Sequence, residues 1–422
     1  MVRSAIAWFC ILLFPAEPAP SRAAADAAES LTLDRCIALS LAHNPLWLSS
    51  EGDYQASLAR VRQAKAIPQP SLEFDSDLQP SLLNFRNSGE SYLGVSQTVE
   101  FPGKRALRGR IATLESGEVL ADRDLLKLDL IFQVTEAFYA VRLAEEKEKY
   151  DRQNLELARD FLKKSEVKYA AGDIAKMEVV RAGVEAARAA TAVTLAENEV
   201  LLAKARLNYL LGQGKLEPLE VRGELKRPAA AIDTVYLGQR ARIARPEMKK
   251  MSALVRKEGL KKTEAAFEYL PDFDLSLSRH RIEGVKTSWD FTISFPIPIF
   301  FWQPLQGRIA ESEANLISLR GRSEYLANTI GLEVEQAGLG ARSAESQIAL
   351  FEKEILTQAE EAYNLFLFSF QEGEIGGIEL IEARRTLLET RKAYADALYN
   401  YRVALAALEK AVGEPLQGVS HD

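Results

Sequence analysis

Four short segments of the chain alternate apolar and polar residues with a period of two. In the first, Leu72, Phe74 and Leu78 interleave with Glu73, Asp75 and Asp77; in the second, Leu93, Val95, Val99 and Phe101 interleave with Gly94, Ser96, Thr98 and Glu100. The third sets Phe273, Leu275 and Leu277 against Asp274, Ser276 and Ser278, and the fourth sets Trp289, Phe291, Ile293 and Phe295 against Asp290, Thr292 and Ser294. Such alternation gives a strand one apolar and one wet face. It predicts strands over about 71–79, 91–101, 272–281 and 288–299. Each is close to the ~9–11 residues that a tilted strand needs to cross a bilayer. The same pattern also fits a half-buried sheet in a soluble protein.

Between the second strand and Gly172 the period changes. From about Lys104 to Ala170 there is no proline, and Ile111, Leu125, Phe132 and Tyr139 interleave with Leu114, Ala121 and Leu128 at heptad spacing. At ~1.5 Å per residue this helix reaches roughly 100 Å, which no compact globule needs. A returning helix follows from about Ile174 to Leu211, with Ala186, Ala187, Ala189, Ala190 and Ala192 permitting close helix approach. Before the strands, a short helix is predicted after Thr32, whose hydroxyl can cap free amides. A second opens at Pro45, where the missing N–H has no partner to lose, and runs to Ile67. Its length added to the returning helix nearly equals the long helix, so the two are expected to lie end to end alongside it.

The order is then written again. Pro45 and Pro246, Pro70 and Pro271, Gly172-Asp173-Ile174 and Gly373-Glu374-Ile375, Glu178 and Glu379, and Gly212 and Gly413 recur at an interval of about 200 residues. Gly109-Arg110-Ile111-Ala112 and Gly307-Arg308-Ile309-Ala310 recur at nearly the same interval. Two copies of one supersecondary unit are expected over 32–212 and 233–413, with Asp233 as the second cap, a connector over 213–232 and a tail over 414–422. Four strands cannot close a membrane barrel, since the smallest single-chain barrels use about eight. If these strands enter a membrane, several chains must share one barrel.

Composition narrows the function. With 422 residues, 47% hydrophobic and 27% charged, the chain has ample core material, and its net charge of -7 excludes a general polyanion binder. Residues 1–25, with Arg3, an apolar run from Ala5 to Phe14 and Ala23-Ala24-Ala25, read as a secretory signal peptide. Cys36 is then the only cysteine left, since Cys10 lies in the leader. His43, His280 and His421 are scattered: His43 reads as a local turn residue and His280 as the end of a strand facing water. No convergent catalytic, cofactor or metal set is legible, so the chain is not expected to be an enzyme.

The run Gln97-Thr98-Val99-Glu100-Phe101-Pro102-Gly103-Lys104-Arg105, the paired Gly172 and Gly373 turns and the twofold repeat resemble the TolC family of outer-membrane efflux proteins. The first segment is most similar to its heavy-metal branch, the CzcC and CusC type. The resemblance covers essentially the whole chain after the leader. It implies a mainly α fold with a membrane β-barrel: a homotrimer shares one twelve-stranded barrel, and long coiled-coil helices continue it as a periplasmic tunnel. By position after the turns, Glu379, Glu382 and Glu178 match the family's acidic gate, where three-fold repetition would focus negative potential. Ile375 and Phe370 stand where some members carry an Arg and a Tyr that latch the closed tip, so packing of Phe370 and Tyr169 would have to contribute instead. The glutamate spacing also fits a solvated helix face.

What the resemblance implies for partners is an inner-membrane pump, a periplasmic adaptor (membrane fusion protein) that docks at Gly172, Asp173, Gly373 and Glu374, and outer-membrane lipid, with no nucleic acid. The expected place is the outer membrane of a Gram-negative bacterium, and the expected role is a passive exit duct for metal cations or small toxic compounds. A protein-secretion channel and a soluble periplasmic coiled-coil adaptor remain as alternatives.

Overall fold

The computed structural model describes residues 31–77, 89–214, 219–297 and 302–416. The expected leader with Cys10, residues 215–218 of the connector and residues 417–422 of the tail, His421 among them, lie outside these residues. Along the chain come α1 (Leu33–His43), α2 (Pro45–Ala64), β1 (Ser71–Asp77), β2 (Glu90–Val99), α3 (Lys104–Ala171) and α4 (Lys176–Leu211). Then follow α5 (Thr234–Ala244), α6 (Pro246–Phe267), β3 (Phe273–Ile282), β4 (Ser288–Ser294), α7 (Trp302–Leu350), α8 (Leu356–Gln371) and α9 (Gly377–Val412).

Local chemistry sets the helix ends. Thr32 Oγ1 accepts from the Arg35 amide at the start of α1, and Asp233 accepts from the Val235 and Tyr236 amides at the start of α5. Pro45 and Pro246 open α2 and α6. Gly172, Gly212, Gly373 and Gly413 take positive φ and end the long helices. Where the first copy has one unbroken 68-residue helix, the second is interrupted between α7 and α8 by a π-helical turn, Phe351–Ile355. The sequence pattern did not show this break, because one extra residue per turn changes no residue type.

The returning and second helices are stacked end to end, as their lengths predicted. α4 finishes with Gly212 against the His43 carbonyl, where a Cβ would invade the van der Waals shell of that oxygen. At the equivalent joint α9 finishes with Gly413 against Arg245. The buried Arg245 guanidinium donates there to the Lys410 and Ala411 carbonyls and pairs with Glu247 and Glu333. Long-range packing joins the copies directly, since α3 packs on α4, α2, α6 and α9.

That packing redistributes the core. Of the predicted α3 seam, Ile111, Ala121 and Tyr139 are buried, whereas Leu114, Leu125, Leu128 and Phe132 are only half-buried. Leu130, Val134, Phe138 and Val141 form the core instead, with Leu33, Cys36, Leu207 and Leu211. A helix packed by several neighbours buries more than one stripe. The second copy has a matching core around Ile330, Val334, Ile348, Tyr401, Leu405 and Leu408.

The four strands form one antiparallel sheet in the order β1-β2-β3-β4. β2 pairs with β3 from Glu90↔Ile282 to Val99↔Phe273, so the sheet is built across the two copies. β4 stops at Ser294, with Pro296 unable to donate to a ladder, and residues 298–299 of its predicted span lie outside the described residues. β1 is described to Asp77, and the remainder of its predicted span lies outside the described residues. Among the described residues β1 and β4 are the open edges of the sheet.

Candidate functional sites at the helical turns and on the sheet

The two turns farthest from the sheet have the same build. Gly172 N–H donates to Tyr169 O at 3.0 Å and Asp173 N–H to Lys168 O at 2.9 Å. Gly373 N–H donates to Phe370 O at 3.2 Å and Glu374 N–H to Ser369 O at 2.9 Å. These bonds satisfy helix-end carbonyls and leave Gly172, Asp173, Gly373 and Glu374 exposed as two blunt knobs.

Behind the knobs lies a small core of Phe161, Ala182, Leu380 and Ile381, against which Leu367 and Phe370 pack. The Phe370 and Phe161 rings lie 5.4 Å apart, and Lys168 Nζ sits 4.8 Å over the Phe370 ring. Tyr169 is 44% exposed, and Ile375 is half-buried. A Cβ on Gly377 would lie 2.9 Å from the Phe161 ring and 3.2 Å from Glu178 Oε2. The missing side chain therefore lets the first turn of α9 press against α3 and α4.

The candidate gate acids differ in their surroundings. Glu178 pairs with Arg181 at 3.4 Å and Glu382 with Arg385 at 3.2 Å, whereas Glu379 forms no ion pair among the described residues. Arg385 also reaches Glu185 at 3.4 Å, tying α9 to α4. Sequence reasoning overlooked Arg181 and Arg385, although the Glu-x-x-Arg spacing was there to read. It also overlooked Arg384, which is only 9% exposed and forms no ion pair among the described residues. Burial pulls its guanidinium below the usual value, against the opposing pull of Glu185. The spacing of Leu380, Ile381 and Leu387 puts Arg384 on the covered stripe of α9, beside the half-buried Arg385.

The sheet sorts its chemistry by face. Pairings such as Ser71↔Ser96, Thr98↔Asp274 and Ser278↔Asp290 place Glu73, Asp75, Asp77, Glu90, Asp274 and Asp290 on one side with Ser, Thr and Tyr92. Hydrogen bonds knit this side together: Ser96 Oγ donates to Glu73 at 2.6 Å and Thr98 Oγ1 to Asp274 at 2.6 Å. The other side shows Leu72, Phe74, Leu93, Val95, Leu277, Trp289, Phe291 and Ile293 to the surroundings, each about half exposed or more.

His280 departs from expectation. It lies inside β3 with its side chain 15% exposed, its Nε2 2.7 Å from Glu90 Oε1 and its Nδ1 3.4 Å from Asp290 Oδ2. Its ring stacks on Tyr92 at 4.0 Å, and Tyr92 Oη donates to Glu90 at 2.6 Å. The register opposes Tyr92 to His280, which sets the imidazole on the acidic face and covers most of it with its neighbours there. Among the described residues no group of three or more His, Cys, Asp or Glu is arranged to hold a metal ion, and no helix is long and apolar enough to cross a membrane.

Comparison with known proteins gives a consistent result. The family described as "Outer membrane efflux protein" matches twice, over residues 36–213 and 237–414. The cobalt-zinc-cadmium resistance protein CzcC of Cupriavidus metallidurans is 25% identical over 406 residues, 92% of this chain and 91% of that protein. The fold is shared with the CmeC outer membrane channel of Campylobacter jejuni, at a TM-score of 0.76 and 15% identity over 92% of this chain and 87% of that one. It is likewise shared with the outer membrane protein VceC of Vibrio cholerae, at 0.74 and 18% over 91% and 96%.

Proposed function

The chain belongs to the outer membrane efflux protein family, and from that premise we propose that three copies assemble into one passive exit duct, with the sheets closing a twelve-stranded barrel and the helices forming a periplasmic tunnel. The observation that carries this reading is the open four-stranded sheet, with unpaired edges, one apolar face and one acidic face. An apolar outer face and a wet inner face are what lipid and a water-filled lumen require, and a shared barrel removes the edges. A chain of this kind has no energy source, so an inner-membrane pump supplies the drive and an adaptor hands over cargo in a tripartite efflux system.

The adaptor docks on the knobs at Gly172, Asp173, Gly373 and Glu374, and Glu178, Glu379 and Glu382 ring the periplasmic mouth as a gate. Phe370, Tyr169 and Ile375 line the closing contact. Cations, metal ions among them, are the cargo, because the lumenal face of the sheet carries carboxylates and no Lys or Arg among the described residues. Such a wall raises the local cation concentration. The purified protein should run as a heat-sensitive trimer in detergent and give cation-selective conductance in planar bilayers under a salt gradient. A detergent-independent soluble monomer would overturn the duct, and unselective conductance would overturn the cation assignment alone.

A further inference from the structure

The apolar face of the sheet holds two charges among the described residues, Arg279 and Arg281, and both lie at one end of β3. The face is fixed by register: Arg279 opposes Leu93 on β2 and Trp289 on β4, and Arg281 opposes Ser91. Both are exposed, and neither guanidinium has a hydrogen bond or ion pair among the described residues. The acids at the same level, Glu90 and Asp290, are turned to the opposite face and occupied with His280 and Tyr92. Among the described residues no side chain pairs with the two arginines.

Their height is informative. The helices attach at the Phe273 end of β3, where Phe273 and Phe295 meet at 6.0 Å, and the hairpin with Gly284 lies at the other. At ~3.4 Å per residue and a tilt of about 40°, Arg281 stands roughly 20 Å beyond Phe273, near the far edge of an apolar band about 25 Å tall. Trp289 marks the same edge, where amphipathic rings sit at headgroup level. Arginines at that level extend their heads out of the hydrocarbon, and a planar guanidinium takes phosphate oxygens in pairs.

We infer that Arg279 and Arg281 form a binding site on the outer wall of the barrel for the phosphate groups of lipid headgroups in the outer leaflet. The site rests on the duct reading, which places the hairpin end outward. Two guanidiniums two residues apart on one strand, flanked by Trp289 and the apolar belt, hold the headgroup while its chains cover Leu277, Phe291 and Leu93. Around the trimer the site recurs three times and fixes the depth of the barrel in the membrane.

The test uses the full trimer, reconstituted in phosphatidylcholine alone or mixed with phosphatidylglycerol, with retained lipids counted by native mass spectrometry. The wild type should retain phosphatidylglycerol over phosphatidylcholine by about ten-fold. R279Q/R281Q should lose that preference, R279K/R281K should keep part of it, and inorganic phosphate should not displace the lipid. Equal retention of the two lipids by the wild type, an unchanged preference in R279Q/R281Q, or displacement by phosphate alone would overturn the site. Failure of the wild type to insert and conduct at all would instead overturn the duct. Should R279Q/R281Q fail to fold, the wild-type and Lys arms still decide.

Discussion

The side-chain amide of Asn44 donates to the main-chain carbonyl of Leu210 at 2.9 Å. The residues are far apart in sequence, yet the bond joins the start of α2 to the last turn of α4. Asn44 Oδ1 meanwhile accepts from the Leu46 amide at 2.9 Å, so one side chain caps one helix and satisfies the end of another. Ser40 Oγ donates to the same carbonyl at 2.7 Å. In the second copy Arg245 performs the corresponding task on the Lys410 and Ala411 carbonyls.

Asn44→Ala should therefore lower stability by about 1–2 kcal/mol, the range for a lost cap, because Ser40 keeps the Leu210 carbonyl satisfied. The thermal midpoint of the detergent-solubilised protein, followed by circular dichroism, measures this. The double change with Ser40→Ala should cost more than the sum, since the buried carbonyl then has neither donor.

Gly212 and Gly172 separate backbone strain from crowding. Both have positive φ, but a Cβ at Gly172 meets open space whereas one at Gly212 meets His43 and Asn44 backbone. Gly172→Ala should cost about 1 kcal/mol, and Gly212→Ala roughly 2–4 kcal/mol, the added part being overpacking. Comparing the two melting midpoints checks the difference.

At the candidate gate, Glu379 lacks the arginine that accompanies Glu178 and Glu382. An unpaired carboxylate contributes more to the field at a narrow mouth. Glu379→Ala should weaken block by divalent cations more than Glu382→Ala, and the double variant should raise small-ion conductance in planar bilayers. Unchanged block and conductance in the double variant would remove these residues from the gate.

Cys36 is fully buried, and burial pushes its thiol up to about 12. The folded state thus holds its proton more tightly than the unfolded chain, whose thiol titrates near about 8.5. Stability from this group is complete below the unfolded value and is lost as pH rises from there toward the folded value. Maleimide should leave the native protein unlabelled at neutral pH and react once it is denatured. Cys36→Ala should flatten the alkaline loss of stability.

Much of the fold was legible because it is locally encoded. Thr32, Asp233, Pro45 and Pro246 start helices through their own side chains, Gly172 and Gly373 end them through their own backbone freedom, and alternation alone named four strands and their two faces. The repeat supplied the two-copy plan. Glu178, Glu379 and Glu382, the proposed gate acids, could be placed after the turns by the repeat, and Arg181 and Arg385 could have been read from helical spacing.

The remainder depended on which segments meet. The sequence places His280 only near a strand end, whereas the β2–β3 register sets it on Tyr92 between Glu90 and Asp290. Arg384 and Arg385 are adjacent in sequence, yet one is buried and the other pairs across to Glu185, because helix rotation against α3 and α4 decides which face is covered. Periodicity and residue type fix what a segment can be, since they act over a few residues. Burial, ion pairing and the sorting of charge to the two sides of the sheet are set by contacts spanning the two copies, and only the tertiary structure brings those together.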